Sequence, residues 1–294
     1  MSKKIKFKKS TVPRIQVNVS EGLHFLETIK NNTVDLILTD PPYNISKDSG
    51  MDKHYNEVKK NEENNVKFVK TEEDWEKYKK KLDKPVEELN QDKGKGWSKE
   101  NYLRYGTIYG KKYCTNTDYG EWDKNFTLEI LDKFVEEFYK KLKKGGTLII
   151  WFDIWKISYL KEIMEKHKFK QIRFIEWIKT NPQPINSKIN YLTNSREIAL
   201  LGIKVSKPTF NSKYDNGIYN YPMASGKNKF HKTQKNLRLF EDLINKHSNE
   251  DDLVVDTFLG GGTTAIACKN TGRKFKGCDV EKKYMDKVKQ IMEL

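Results

Sequence analysis

Cysteine is scarce in this chain. Cys114, Cys268 and Cys278 are the only three in 294 residues, and they show neither paired nor metal-ligand spacing. That excludes a disulfide framework and a cysteine-based metal site, and it fits a reduced, cytosolic protein. Long hydrophobic runs are also missing: no apolar stretch approaches the roughly 18–20 residues of a membrane helix. The N-terminal lysines 3, 4, 6, 8 and 9 come without the apolar segment of a signal peptide, so a basic arm is expected there. Acidic residues are in deficit, 41 against 56 Lys and Arg, which leaves a net charge of +15. Such an excess points to a polyanionic partner, because phosphate contacts dominate nucleic-acid affinity.

Only eight prolines occur, and two of them are adjacent, in Asp40-Pro41-Pro42-Tyr43. This tetrapeptide ends the apolar run Val34-Asp35-Leu36-Ile37-Leu38-Thr39, which reads as a buried strand stopped by residues that cannot continue a ladder. The strand thus delivers a carboxylate, a rigid turn and an aromatic ring to its carboxyl end, the edge where open α/β sheets bind ligands. The chemistry this suits is attack by a planar amine. Two acceptors aimed at the amine hydrogens, the Asp40 carboxylate and the Pro42 carbonyl, favour a more tetrahedral nitrogen whose lone pair can attack. Tyr43 is placed to stack on a base taken out of a duplex.

Around this strand the chain has a βαβ rhythm, which predicts an α/β fold with a parallel sheet. Arg14 to Ser20 reads as a strand, and Leu23 to Ile29 as a short helix ended by Asn31-Asn32. From Asn44 to about 120 the rhythm disappears into a charged insertion with one clear helix, marked by Trp75, Tyr78 and Leu82 before Pro85. An insertion directly after a catalytic strand suggests a lid or a DNA-clasping segment. Order resumes with an amphipathic helix over Phe126 to Lys144, capped by Gly145-Gly146, and a strand from Thr147 to Phe152. A helix follows over Ile157 to His167, with strands over Ile172 to Ile178 and Ile198 to Ile203. From Lys179 to Lys235 the chain otherwise reads as loop, with Tyr191, Tyr214, Tyr219 and Tyr221 interleaved with Lys188, Lys204, Lys207, Lys213 and Lys227. That mixture suits nucleic-acid contact.

Near the other end stands a second motif. The strand Leu253 to Phe258, carrying Asp256, runs into Leu259-Gly260-Gly261-Gly262-Thr263-Thr264 and a helix from Ala265, and a further strand ends at Asp279. Glycines let the backbone approach a ligand, and the helix N-terminus offers N–H groups to an anion. Asp279 is placed to bind ribose hydroxyls. Gly260, Gly262 and Ala265 also satisfy a dinucleotide fingerprint with an acid about 20 residues on. With this loop so close to Leu294, no second mononucleotide half is expected to follow, and the other strands come earlier. A methyltransferase with permuted motif order fits that arrangement better than a dehydrogenase.

The two motifs in this order resemble the β-group of amino-methyltransferases acting on DNA. Asp40-Pro41-Pro42-Tyr43 matches the group's catalytic motif, in the Asp form typical of adenine-N6 enzymes; cytosine-N4 enzymes usually carry Ser there. Asp256, Phe258, Gly260 and Gly262 match its Asp-x-Phe-x-Gly-x-Gly motif, with Asp279 in place of a downstream Glu. Trp122-Asp123, Lys179-x-Asn181-Pro182-x-Pro184 and His231-Lys232-Thr233-Gln234-Lys235-Asn236 resemble further motifs, the last with both prolines of His-Pro-Thr-Gln-Lys-Pro replaced. Val19-Ser20-Glu21 departs from the group's Gly-Asp, so no cofactor role is assigned to it.

The resemblance implies a Rossmann-like, S-adenosylmethionine-dependent methyltransferase domain over 1–294, with a mostly parallel seven-stranded sheet, one antiparallel edge hairpin and helices on both faces. It places the charged insertion at 44–120, target recognition at 181–230 and the cofactor-binding half at 231–294. It implies catalysis by Asp40, Pro41, Pro42 and Tyr43, and cofactor binding by Asp256, Phe258, Leu259, Gly260, Gly262, Thr263, Thr264 and Asp279. Lys179, Asn181, Lys188, Lys213 and Lys227 are the expected DNA contacts, and no metal is called for. The implied activity is methyl transfer to adenine N6 in DNA, in a cytoplasmic, nucleoid-associated bacterial enzyme of a restriction-modification or epigenetic system. A homodimer and a cognate restriction endonuclease stay open as partners. The alternatives are cytosine N4, an RNA amine, a non-catalytic DNA-binding regulator with this fold, and, on the glycine loop alone, an NAD-dependent oxidoreductase.

Overall fold

The computed structural model describes residues 14–42, 50–93, 96–110, 126–182, 192–225, 229–231 and 234–294. The chain forms two compact units: one of Met1–Tyr43 with Phe126–Leu294, the other of Asn44–Asn125. The first unit is built on an eight-stranded sheet. Its strands are β1 (Ile15–Val19), β2 (Val34–Thr39), β3 (Leu142–Phe152), β4 (Lys170–Lys179), β5 (Arg196–Ile203), β6 (Ile218–Tyr221), β7 (Leu253–Asp256) and β8 (Lys274–Asp279). They lie in the order β1-β8-β7-β2-β3-β5-β4-β6. Only β5 runs antiparallel to its neighbours, β3 and β4. The resemblance implied seven strands; the eighth is β6, which pairs parallel with β4 from Glu176↔Ile218 to Lys179↔Tyr221. Its four residues sit in a stretch that reads as loop, because so short an edge strand has too few positions for its alternation to show.

The inner strands are apolar on both faces, as a covered parallel sheet requires. In β3, Leu148, Ile150 and Phe152 face one core cluster while Ile149 and Trp151 face the other. The first face is covered by α1 (Gly22–Glu27) and by two helices after the insertion, α6 (Leu128–Lys141) and α7 (Ile157–Lys166). The second is covered by α8 (Leu237–His247), α9 (Thr263–Asn270) and α10 (Lys282–Met292). Most of these helices bury one stripe, as Leu239, Phe240, Leu243 and Ile244 do in α8, whereas α9 is buried on most of its surface.

Gly145-Gly146 is not the cap of α6. The helix stops at Lys141 and the glycines lie inside β3. Gly145 takes φ +80°, and its N–H donates to the carbonyls of Lys204 and Val205, where a Cβ would meet the Lys207 carbonyl at 2.4 Å. The glycine pair therefore serves the close approach of the chain beyond β5, which no local pattern reveals.

Among its described residues the second unit holds four helices where one was expected: α2 (Gly50–Glu63), α3 (Glu72–Lys79), α4 (Val86–Lys93) and α5 (Lys99–Tyr105). Thr71 and Asp74 form a capping box at α3, and Ser98 caps α5. The unit buries its own cluster of Trp75, Val86, Trp97, Tyr102 and Ile108, with the Tyr78 and Tyr102 rings stacked at 4.3 Å. Between 44 and 125 the sequence carries 18 Lys and Arg against 17 Asp and Glu, so the positive excess of the protein resides in the first unit. Among the described residues no helix is long and apolar enough to cross a membrane.

Phe134 of α6 packs between Phe138 and Phe258, the latter at 4.7 Å, and is 1% exposed. Phe134→Ala is expected to cost about 3–5 kcal/mol of stability, read from the urea unfolding midpoint.

Candidate active site

The chain leaves two neighbouring strands in opposite directions. From β2 it returns, through the insertion and α6, to β3 on one side; from β7 it returns through α9 to β8 on the other. Adjacent parallel strands that diverge in this way open a crevice at their carboxyl ends, the place where α/β sheets hold ligands. Both motifs end there. β2 and β7 pair through Leu36↔Val254 and Ile37↔Val255, so Thr39-Asp40 and Asp256 leave the sheet side by side.

One buried carboxylate joins them. The two oxygens of Asp256 accept from the hydroxyls of Thr39, at 2.7 Å, and Thr264, at 2.6 Å, and the Phe258 N–H adds a third bond at 3.0 Å. Burial raises the Asp256 carboxyl to about 6, against the lowering effect of these three donors. Asp256 was expected to bind a cofactor; here it links the residue before Asp40 to the first turn of α9.

The glycine turn follows. Gly260 and Gly262 take φ +49° and +75°, and Gly262 is the N-cap of α9, with no side-chain hydrogen bond at that cap. A Cβ at Gly262 would meet Val288 at 2.6 Å, so the turn tolerates no side chain there. Asp279, at the end of β8, accepts from the Gly260 N–H at 2.8 Å and from the Glu281 N–H at 3.0 Å, which straps the turn to the neighbouring strand. Thr263 and Thr264 are buried in the first turn, Leu259 is buried, and Phe258 is half-buried against Phe134. A strapped glycine turn beside a helix N-terminus can hold the anionic end of a nucleoside-type ligand.

The segment before α8 reaches both motifs. His231 lies over the glycine turn, 3.4 Å from where a Cβ on Gly260 would sit, and its ring meets Tyr284 edge-on at 4.6 Å. Four residues on, Lys235 Nζ is 2.9 Å from the Asp40 carboxylate and 2.5 Å from that of Glu197. Glu197 in turn pairs with Lys179 at 2.8 Å. Burial would raise Glu197, but the ammonium groups of Lys235 and Lys179 outweigh it and hold the carboxyl at about 2. Sequence reasoning noted the His231–Asn236 motif without giving Lys235 a role, and it passed over Glu197. The available signal was a charged residue at the start of an otherwise apolar strand.

Of the expected DNA contacts, Lys179 and Asn181 lie at this carboxyl edge. Lys179 is committed to Glu197, and Asn181 accepts from the Met223 N–H at 2.7 Å. Lys213 is exposed but stands at the opposite edge: Asn211 bonds the carbonyls of Asn245 and Ser248 at the end of α8, and Asp215 pairs with Lys246. Lys204 is also there, buried, donating to Asn32 and to the Leu142 carbonyl. Pro41 and Pro42 are buried behind Asp40. Tyr43, Lys188 and Lys227 lie outside the described residues, as do Trp122-Asp123 and Cys114. Cys268 and Cys278 are free and buried, and burial raises both thiols, so neither is poised as a nucleophile.

The chain is similar to known DNA methyltransferases. A DNA methylase family model, of N6/N4 type, matches residues 34–290. The Type II methyltransferase M2.DpnII of Streptococcus pneumoniae is 30% identical over 203 residues, covering 60% of this chain and 73% of its own. M.HpaI of Haemophilus parainfluenzae is 26% identical over 93% of this chain and 73% of its own. Among solved structures, the M1.HpyAVI–SAM complex superposes with a TM-score of 0.59 at 24% identity, over 95% of this chain and 100% of that one. The PvuII methyltransferase, described as cytosine-N4-specific, has a TM-score of 0.57 at 15% identity, over 92% and 83%.

Asp256 makes a pH test of the bridge possible. A carboxyl raised from 3.8 to about 6 adds stability that is full below the lower value and lost as pH rises through the higher. Asp256→Asn removes that loss. Relative to wild type, the variant should therefore gain on the order of 2–3 kcal/mol between about pH 4 and pH 6, measured by urea unfolding at each pH. Taking the difference from wild type isolates Asp256, because burial lowers His247 to about 4 and its titration has the opposite sign in that window. A flat difference would mean that Asp256 is ionised throughout.

Proposed function

The chain belongs to the DNA methylase family, and on that premise we propose that it transfers a methyl group from S-adenosylmethionine to adenine N6 in DNA. The carrying observation is the Asp256 carboxylate, bonded at once to Thr39 beside Asp40 and to Thr264 of the glycine-turn helix. It supports one site in which the amine-binding tetrapeptide and a nucleoside cofactor meet.

The glycine turn fits that cofactor: Gly260, Gly261 and Gly262 carry no side chains of their own, and no side-chain hydrogen bond is made at the N-cap of α9. In this reading Leu259, Gly260, Gly262, Thr263 and Thr264 hold the methionine end, with Phe258 and Asp279 on the nucleoside side. When bound, S-adenosylmethionine supplies a methyl group on a positively charged sulfur. The chain supplies position and polarisation. Asp40 and the Pro42 carbonyl accept the amine hydrogens and turn the nitrogen lone pair outward, and Tyr43 stacks on the extruded base. No strong base is needed, because the methylated nitrogen is acidic and gives its proton to Asp40 or to water. Most of the acceleration comes from holding two reactants in one orientation.

Asp40 in the first motif position favours adenine over cytosine. The positive excess of the first unit supports DNA as the substrate. The near-neutral second unit offers no such excess, so we assign it the lid role rather than phosphate clasping. Asn181 remains the target contact at the site's own edge, whereas Lys179 is committed to Glu197. Whether a second copy or a partner endonuclease acts beside this chain is a separate question, which titration of oligomeric state and activity would answer.

The primary test is incubation of the protein with tritiated S-adenosylmethionine and unmethylated genomic DNA, followed by nucleoside analysis. Label is expected in N6-methyladenine; label in N4-methylcytosine would correct the target and keep the mechanism. Asp40→Ala should reduce turnover at least ~100-fold while cofactor binding persists. Tyr43→Phe should be tolerated and Tyr43→Ala should not; equal rates for the two would sink the stacking role.

A further inference from the structure

Four charged side chains form a ladder at the carboxyl edge: Asp40 after β2, Lys235 before α8, Glu197 in β5 and Lys179 at the end of β4. The two lysine side chains are nearly buried, 7% and 11% exposed. Buried ion pairs return little stability for the desolvation they cost, and apolar residues would pack this edge at least as well. Stability therefore does not explain the ladder. Its geometry does: Lys235 Nζ lies 2.9 Å from Asp40 Oδ2, a contact that restrains the rotation of the carboxylate proposed to receive the amine.

We propose that Lys235 is a positioning residue for Asp40, and that Glu197 holds Lys235 in place and offsets its charge. This inference rests on the amine-methylation reading above. With charges alternating along the ladder, its sum is zero. Without Glu197 the other three, Asp40, Lys235 and Lys179, would leave a net positive charge beside an incoming positively charged cofactor and beside a nitrogen that becomes positive during the reaction. Glu197 removes that repulsion without releasing Asp40. Lys179 closes the ladder on the far side, its ammonium also lying 5.6 Å from the centre of the Trp177 ring. Lys235 is steadied further by the Trp151 ring, 5.5 Å from its ammonium.

The consequence is an ordered pH behaviour. Among the described residues, the charged groups facing Asp40 include Lys235 directly, Glu197 and Lys179 behind it, and Asp256 on β7. The lysine favours the ionised carboxylate; both acids oppose it. Removing Lys235 should therefore move the acid limb of the methyl-transfer profile to higher pH, and removing the Glu197 charge should move it to lower pH.

The experiment measures single-turnover methyl transfer to DNA against pH, at saturating cofactor and DNA, for wild type, Lys235→Met, Lys235→Arg and Glu197→Gln. Lys235→Met is expected to slow transfer about 100-fold and to raise the acid limb by about one unit. Lys235→Arg should leave the limb in place, and Glu197→Gln should lower it. Cofactor affinity, read by titration, should change little in Lys235→Met, because His231 and not Lys235 lies on the glycine turn. The inference is overturned if the limb stays put in both Lys235→Met and Glu197→Gln, whatever happens to rate or melting temperature, or if both move the same way. If Lys235→Met does not fold, the downward shift in Glu197→Gln carries the test and its absence overturns the proposal. Failure of wild type to label DNA would instead count against the amine-methylation reading itself.

Discussion

The functional half of this protein hangs on one buried carboxylate. Asp256 is buried, so its oxygens must find donors inside the protein, and they find them on two different elements. Thr39 brings the end of β2, and with it Asp40. Thr264 brings the first turn of α9, and with it the glycine loop. Deprived of either donor, a buried acid would be left partly unsatisfied, so the two motifs are held in register by the cost of separating them. The strand order makes this possible, since β2 and β7 are neighbours from which the chain departs in opposite directions.

Charge is used in two different ways in the same unit. On the surface the positive excess is unbalanced, which suits a polyanionic substrate and long-range attraction. At the carboxyl edge it is balanced residue by residue, from Asp40 through Lys235 and Glu197 to Lys179. On the proposed reading the balance matters, because without Glu197 this edge would be net positive beside a cationic cofactor and a transiently cationic product. His231 and Lys235 reach both motifs, the histidine over the glycine turn and the lysine on Asp40.

Much of the fold was readable because its signals are local. The apolar runs of β2, β3 and β7, the stripes of α6 and α8, and the strand–glycine–helix order all show within windows of a dozen residues. The failures share a cause. Gly145-Gly146 looks like a helix cap and serves a contact with the chain beyond β5; β6 is too short to show alternation; the helices of the second unit are mostly polar outside and close only around Trp75, Trp97 and Tyr102. The interleaved lysines and tyrosines of the recognition stretch look equivalent in sequence. In the fold Lys179 lies at the active edge, whereas Lys204 and Lys213 lie at the other.

Residue order alone was enough to point to an α/β methylase and to the two motifs proposed to bind the amine and the cofactor, because each motif is contiguous and its atoms are neighbours in the chain. It could not say how the two are joined, nor which basic groups serve the acid. Those contacts span the chain, 217 residues in the case of Thr39 and Asp256, and no periodicity encodes them. Strand order alone brings them together, and the penalty for burying an unpaired charge then selects which distant side chains must meet.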